Sequence, residues 1–256
     1  MTIIEQALIN MKELMYTNEL TSLIRSSKLI FNIHEAVKHQ LVQNGINQNL
    51  IYPPLNNSKP ELPLAGFLKQ KKQDICIIPK FCVQQEVLQN GVLNGLMDEY
   101  GHHFTEQTLS INVRSQISSI QKNFDTLFER TYAESLNLHL RCPKMVLGEI
   151  YLLSVYDYKE NKYISSTLIE KYIRAFHSIS HRNSIFTEEY KYETTSLLIV
   201  DFTQITPKLY NTTQELIDDK YLDATTNVIY EGLEWHTFFN KILSIYNFRF
   251  QLSSLS

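Results

Sequence analysis

The segment that most restricts how this chain can fold is Met145 to Val155, which is apolar on both faces of a strand apart from one acid, Glu149. Side chains alternate across a strand, so a strand apolar on both faces must be covered on both. The segment therefore reads as a central strand of a sheet with layers packed above and below it. An ionised carboxylate in that setting is expensive to bury without a cation or a metal beside it, which marks Glu149 as a residue with a purpose. A second segment, Leu109 to Gln116, divides its faces by chemistry. Leu109, Ile111 and Val113 point one way, and Ser110, Asn112, Arg114 and Gln116 point the other.

Around these two strands the chain reads as one α/β domain. Apolar residues recur at helical spacing through residues 2–45 (Ile3, Ile4, Ala7, Leu8, Met11 and Leu14, then Leu29, Ile30, Ile33, Ala36, Val37 and Leu41), and Gly45 follows as a stop, giving two or three helices. They read as a lateral support or a dimerisation arm over residues 1–50. Residues 44–63, with Pro53-Pro54 and Asn56-Asn57-Ser58, form an irregular connection into a core spanning 60–210. Two strands are expected between Gly66 and Pro79, delivering Asp74 to a strand start, and a polar insert fills 81–107. From Lys122 to Arg141 the pattern is helical, with Phe124, Phe128, Tyr132, Leu136 and Leu140 at four-residue steps beside Leu127, a stripe expected to lie on the sheet. A helix at 166–179, a strand at 196–202, a short helix at 213–219 and a last helix at 233–246 follow. Residues 211–256 make a C-terminal helical portion.

A length of 256 residues with 43% hydrophobic content suffices for a full core. The formal charge of -3 supplies no global positive field, so any contact with a polyanion has to come from local clusters. Three scattered cysteines, Cys76, Cys82 and Cys142, make no disulfide framework and fit a reducing cytoplasm. No run of 18 apolar residues and no export signal is seen, so no membrane association is expected. The histidines and cysteines lack the short spacings of zinc sites.

The order of an acid on one strand, a polar triplet on the next, a helix and a buried strand resembles the catalytic core of the PD-(D/E)xK nucleases. The segments Asn-Val-Arg-Ser-Gln-Ile-Ser-Ser from Asn112 and Asn-Phe-Asp-Thr-Leu-Phe-Glu-Arg-Thr from Asn123 resemble those of type II restriction endonucleases. Asn112 and Arg114 stand where the common pattern has an acid and a lysine. The resemblance implies a restriction-endonuclease-like core with a mixed central sheet flanked by helices, Mg²⁺-dependent cleavage of double-stranded DNA at a short sequence, a homodimer, and a cognate DNA methyltransferase acting on the same site. Asp74, Asn112, Arg114 and Glu129 are the expected catalytic residues. Hard oxygen ligands for the metal are expected from Asp74 with Glu129, Glu149 or Glu134. Arg114 can offset phosphate charge but does not give up a proton near neutrality, so it cannot be a base. Lys69, Lys71, Lys72, Gln116 and Arg130 are candidate contacts to the DNA backbone, with Arg141 and Lys144 nearby. The triplet Asp157-Tyr158-Lys159 also has an acid-x-lysine form, but it lies in a polar run that reads as a loop.

Overall fold

The computed structural model describes residues 1–17, 28–81 and 83–251. Cys82 lies outside the described residues, as does the stretch between the first two helices. In chain order the helices are α1 (Ile3–Thr17), α2 (Lys28–Gln43), α3 (Gly101–Gln107), α4 (Ile120–His139), α5 (Ser166–Ser178), α6 (Thr213–Asp218) and α7 (Trp235–Phe250). The strands are β1 (Ile51–Tyr52), β2 (Leu62–Ala65), β3 (Gln70–Gln73), β4 (Ile75–Ile77), β5 (Glu86–Val87), β6 (Met97–Asp98), β7 (Leu109–Gln116), β8 (Val146–Ser154), β9 (Tyr156–Asp157), β10 (Lys162–Tyr163), β11 (Thr194–Asp201) and β12 (Lys208–Leu209).

Among the described residues the main sheet has six strands in the order β1-β4-β7-β8-β11-β12. The central trio β7, β8 and β11 is parallel, and the flanking pairs are antiparallel. The fold is therefore α/β with a mixed central sheet flanked by helices. Parallel neighbours need crossover connections, and α4 links β7 to β8 as α5 links β8 to β11. Every residue of β8 is buried, as a strand covered on both faces must be.

The two faces of the sheet carry different layers. Ile111, Val113, Ile150, Leu152, Leu198 and Val200 face a core shared with α1, α2 and α7. The helices expected as an arm therefore lie on the sheet as one of its covering layers. They do so because Ile4, Leu8, Met11, Ile33, Val37 and Leu41 form one continuous apolar stripe. On the same side, a Cβ at Gly148 would come within 2.6 Å of Phe238 and Ile242, so glycine is what lets α7 approach β8. The opposite face carries Tyr151, Leu153, Leu197 and Ile199 against α4 and α5.

The structure corrects the stripe expected on α4. Tyr132 and Leu140 are exposed, and the buried positions are Ile120, Phe124, Thr131, Ser135 and Leu138, with Asn137 and His139. Strict four-residue steps drift by about 40° each around a helix, so a stripe continued that way from Phe124 turns off the sheet within two steps. The observed face mixes steps of three and four and stays in place. The first residues of α4 are held by a carboxylate distant in sequence. Asp157 accepts from the Ser119 and Ile120 N–H groups at 3.0 and 2.7 Å, and from the Lys159 and Glu160 N–H groups at 3.0 and 3.1 Å. A buried acid at a helix N-terminus satisfies orphan donors and complements the helix dipole, which accounts for Asp157 without catalysis.

Candidate active site

The site lies on the α4 side of the sheet, where β4 ends and β7 continues. Ile75 pairs with Ile111, and Asp74, at the bend just before β4, reaches past the end of that pairing to accept from the Val113 N–H at 2.9 Å. In the next ladder Asn112 is in register with Glu149. One row across the sheet thus holds Asp74, Asn112 and Glu149, which come from the bend before β4, from β7 and from β8. Two positions further along β7, Arg114 projects to the same face, and its Nε donates to Glu149 Oε1 at 2.7 Å.

Glu134 of α4 closes the row from above. Its Oε2 accepts from Arg114 Nη2, from Lys71 Nζ of β3, and from Asn112 Nδ2 at 3.4 Å. Lys71 is brought there by a clamp from the same helix. Asn137, three residues after Glu134, accepts through Oδ1 from the Leu68 and Lys69 N–H groups at 2.7 and 3.0 Å, and its backbone carbonyl accepts from Phe67 N–H at 2.8 Å. The β2–β3 turn fits against Asn137 because Gly66 has no side chain; a Cβ there would stand 2.3 Å from the Asn137 amide. Gln73, buried at the end of β3, accepts from Ser110 Oγ at 2.9 Å and ties the hairpin to β7.

Charge in this cluster is finely divided. Glu149 is fully buried, and desolvation pushes its carboxyl up to about 7 against the pull of Arg114. Burial also works against the Arg114 charge, but Glu149 and Glu134 more than offset it and hold the guanidinium above its ordinary value. Burial, with the charges of Glu149 and Glu134, holds the Tyr192 phenol well above its usual range. Two buried oxygens, Asn112 Oδ1 and Glu149 Oε2, have no hydrogen-bond partner among the described residues. Orphaned acceptors in a cluster of carboxylates are the donor set that a hard cation takes. Asp74, Glu149 and the Asn112 amide oxygen are the groups that would hold Mg²⁺, which characteristically uses one or two carboxylates and keeps water on its other positions. When bound, such an ion supplies charge neutralisation and a polarised water. Among the described residues no three His, Cys, Asp or Glu side chains stand together as a metal group, so two carboxylates and an amide are what this row offers.

Other residues expected at the site lie elsewhere. Glu129 is exposed on α4, nine positions from both Ile120 and Leu138, which puts it about 180° away from the buried face. The cluster takes Glu134 in its place, at the border of that face. Arg130, Lys69 and Lys72 are exposed. Gln116 is only 4% exposed. It accepts from Tyr151 Oη at 2.5 Å and donates to the Ser118 and Ser119 carbonyls at 3.3 Å. Being enclosed, it binds β7 to the start of α4 and does not face a phosphate. Arg141 is engaged by Asp98 at 2.5 Å and Glu86 at 2.7 Å.

Two nearby residues carry no signal in the sequence. His34, on α2, has Nε2 buried with no partner among the described residues, and burial holds its imidazole below the usual value against the pull of Asp74. Within its helix it is one polar residue beside an apolar stripe, and only the packing of α2 on the sheet brings it near Asp74. Tyr192 precedes β11 and donates to the Thr131 carbonyl at 2.8 Å.

No helix among the described residues is long and apolar enough to cross a membrane. Comparison with protein-family models, with curated proteins and with solved structures found no match in any of the three.

Proposed function

We propose that the protein is a Mg²⁺-dependent type II restriction endonuclease, hydrolysing phosphodiester bonds of double-stranded DNA at a short specific sequence. One observation carries this reading. Asp74, Asn112 and Glu149 form a row that runs from the bend before β4 across β7 to β8, with Arg114 on the same face and two buried oxygens unpartnered among the described residues. Phosphodiester hydrolysis needs an activated water, neutralised phosphate charge and a stabilised leaving oxygen. Hard oxygen donors beside fixed cations are suited to all three. The segments from Asn112 and from Asn123 that resemble type II restriction endonucleases supply the strand and the helix of this same cluster.

The rest of the reading follows from that class. A homodimer would match its two-fold axis to a symmetric DNA site, the location would be cytoplasmic, and a methyltransferase acting on the same sequence would protect the host DNA. The test is digestion of unmethylated phage DNA with and without Mg²⁺. Discrete fragments that require the metal are expected, and an unchanged substrate with either Mg²⁺ or Mn²⁺ counts against the reading.

A second reading, a DNA-binding or partner-binding protein that keeps the fold without catalysis, is favoured by one feature. Both Arg114 and Lys71 are neutralised internally by Glu134 and Glu149, as in a purely structural ion cluster. Retarded but uncut DNA in a gel-shift assay would select it.

A further inference from the structure

We propose that Lys71 is a catalytic residue, the general acid that protonates the leaving 3′ oxygen. The inference rests on the nuclease reading and assigns Lys71 a role beyond a grip on the DNA backbone. It starts from the donors gathered on Glu134 Oε2: a guanidinium from Arg114, an amide from Asn112 and an ammonium from Lys71. A guanidinium and an amide do not release a proton near neutrality. Of these donors the ammonium alone can give up a proton and take one back.

Placement supports the same assignment. A lysine that merely grips phosphate needs only to be an exposed point charge, as Lys69 and Lys72 on the same hairpin are. The side chain of Lys71 is 22% exposed, and its strand is fixed from both ends, by the Asn137 clamp at the turn and by the Gln73–Ser110 bond at the base. Pairing with Glu134 holds the ammonium beside Arg114 and Asn112. Two residues of one helix face, Glu134 and Asn137, thus set the position of this group.

The chemistry balances. A water oxygen forms a bond to phosphorus and passes its proton to a non-bridging phosphate oxygen. The P–O3′ bond breaks, and the electron pair left on O3′ takes a proton from Lys71 Nζ. The products are a 5′ phosphate and a 3′ hydroxyl, and the neutral amine regains its proton from solvent.

The experiment maps the scissile bond with wild-type protein and then compares two synthetic duplexes, one natural and one with sulfur in place of the scissile 3′ oxygen. A thiolate leaves without protonation. Lys71→Ala is expected to lose about 100-fold or more in cleavage rate on the natural duplex and to cut the sulfur duplex within a few-fold of wild type. Lys71→Arg, which keeps the charge and the pairing with Glu134, is expected to retain thermal stability and DNA binding yet share the loss on the natural duplex. Two results overturn the proposal while leaving the nuclease reading intact: wild-type cleavage by Lys71→Arg, or an equal loss on both duplexes for Lys71→Ala. Absence of cleavage by the wild-type protein removes the nuclease reading and this assignment together.

Discussion

Glu149 and Glu193 are both fully buried on neighbouring strands or just before one, yet their surroundings drive them in opposite directions. Burial opposes the charge of each. For Glu193 that is overcome by His139 at 3.5 Å, Arg249 at 2.7 Å and Arg182 at 3.3 Å, with the Leu147 N–H at 2.7 Å, and the carboxyl is held down at about 2. Glu149 has Arg114, which it shares with Glu134, and one of its oxygens has no partner among the described residues, so it stands at about 7. A saturated buried acid is a fastening between the start of β8, α4 and α7. An unsaturated one keeps an acceptor open, which makes Glu149 a candidate ligand.

The largest effect that would sharpen this contrast is on stability. Glu193→Gln leaves two arginines without their shared partner and is expected to destabilise the fold by roughly 3–5 kcal/mol, the usual cost of breaking a buried ion pair from one side. Chemical denaturation measures it, and a loss under 1 kcal/mol would mean that the network is not a fastening. Because the folded pKa of Glu193 is depressed, its contribution is fully present above the unfolded value of 4.5 and is lost as pH falls toward about 2.

The next effect is on activity alone. Asp74→Ala removes a carboxylate of the proposed metal site, at the bend before β4, and no core contact, so cleavage is expected to fall by roughly 10³-fold, equivalent to about 4 kcal/mol of barrier. The thermal midpoint should move little. Retention of more than a few per cent of the wild-type rate would place the metal elsewhere.

A smaller effect reverses the sign of the first. The folded pKa of Glu149 is raised, so this residue costs stability as pH rises from 4.5 to about 7, up to roughly 3 kcal/mol above that range. Glu149→Gln is expected to abolish cleavage while flattening the loss of stability between pH 5 and 8. A variant that unfolds more readily than wild type at pH 8 would show that Arg114 depends on this carboxylate more than the carboxylate suffers from burial. The smallest effect belongs to Glu129→Gln, on the solvent side of α4, with stability changed by less than about 0.5 kcal/mol and an unaltered metal requirement. A steeper Mg²⁺ dependence in this variant would return Glu129 to the site.

What the sequence determined by itself is the set of properties local to a strand or helix. The two-sided apolar run around Glu149 fixed β8 as a central strand, and alternation alone assigned Asn112 and Arg114 to one face of β7. Periodicity located α4, α5 and α7 for the same reason, since each must bury one stripe. Rotation about a helix axis is a finer quantity, because an error of about 40° per step accumulates with each turn. For that reason the exposed Glu129 reads as a candidate in the sequence, although Glu134 is the residue that faces the row. Tertiary structure alone decided which side chains meet. Lys71 reads as one basic residue in a run of three until Asn137 draws its hairpin under α4, and His34 reads as the edge of an apolar helix until α2 lies on the sheet beside Asp74. Such encounters depend on how separate elements are packed, at contacts of tens of residues in sequence separation, and no local pattern encodes them.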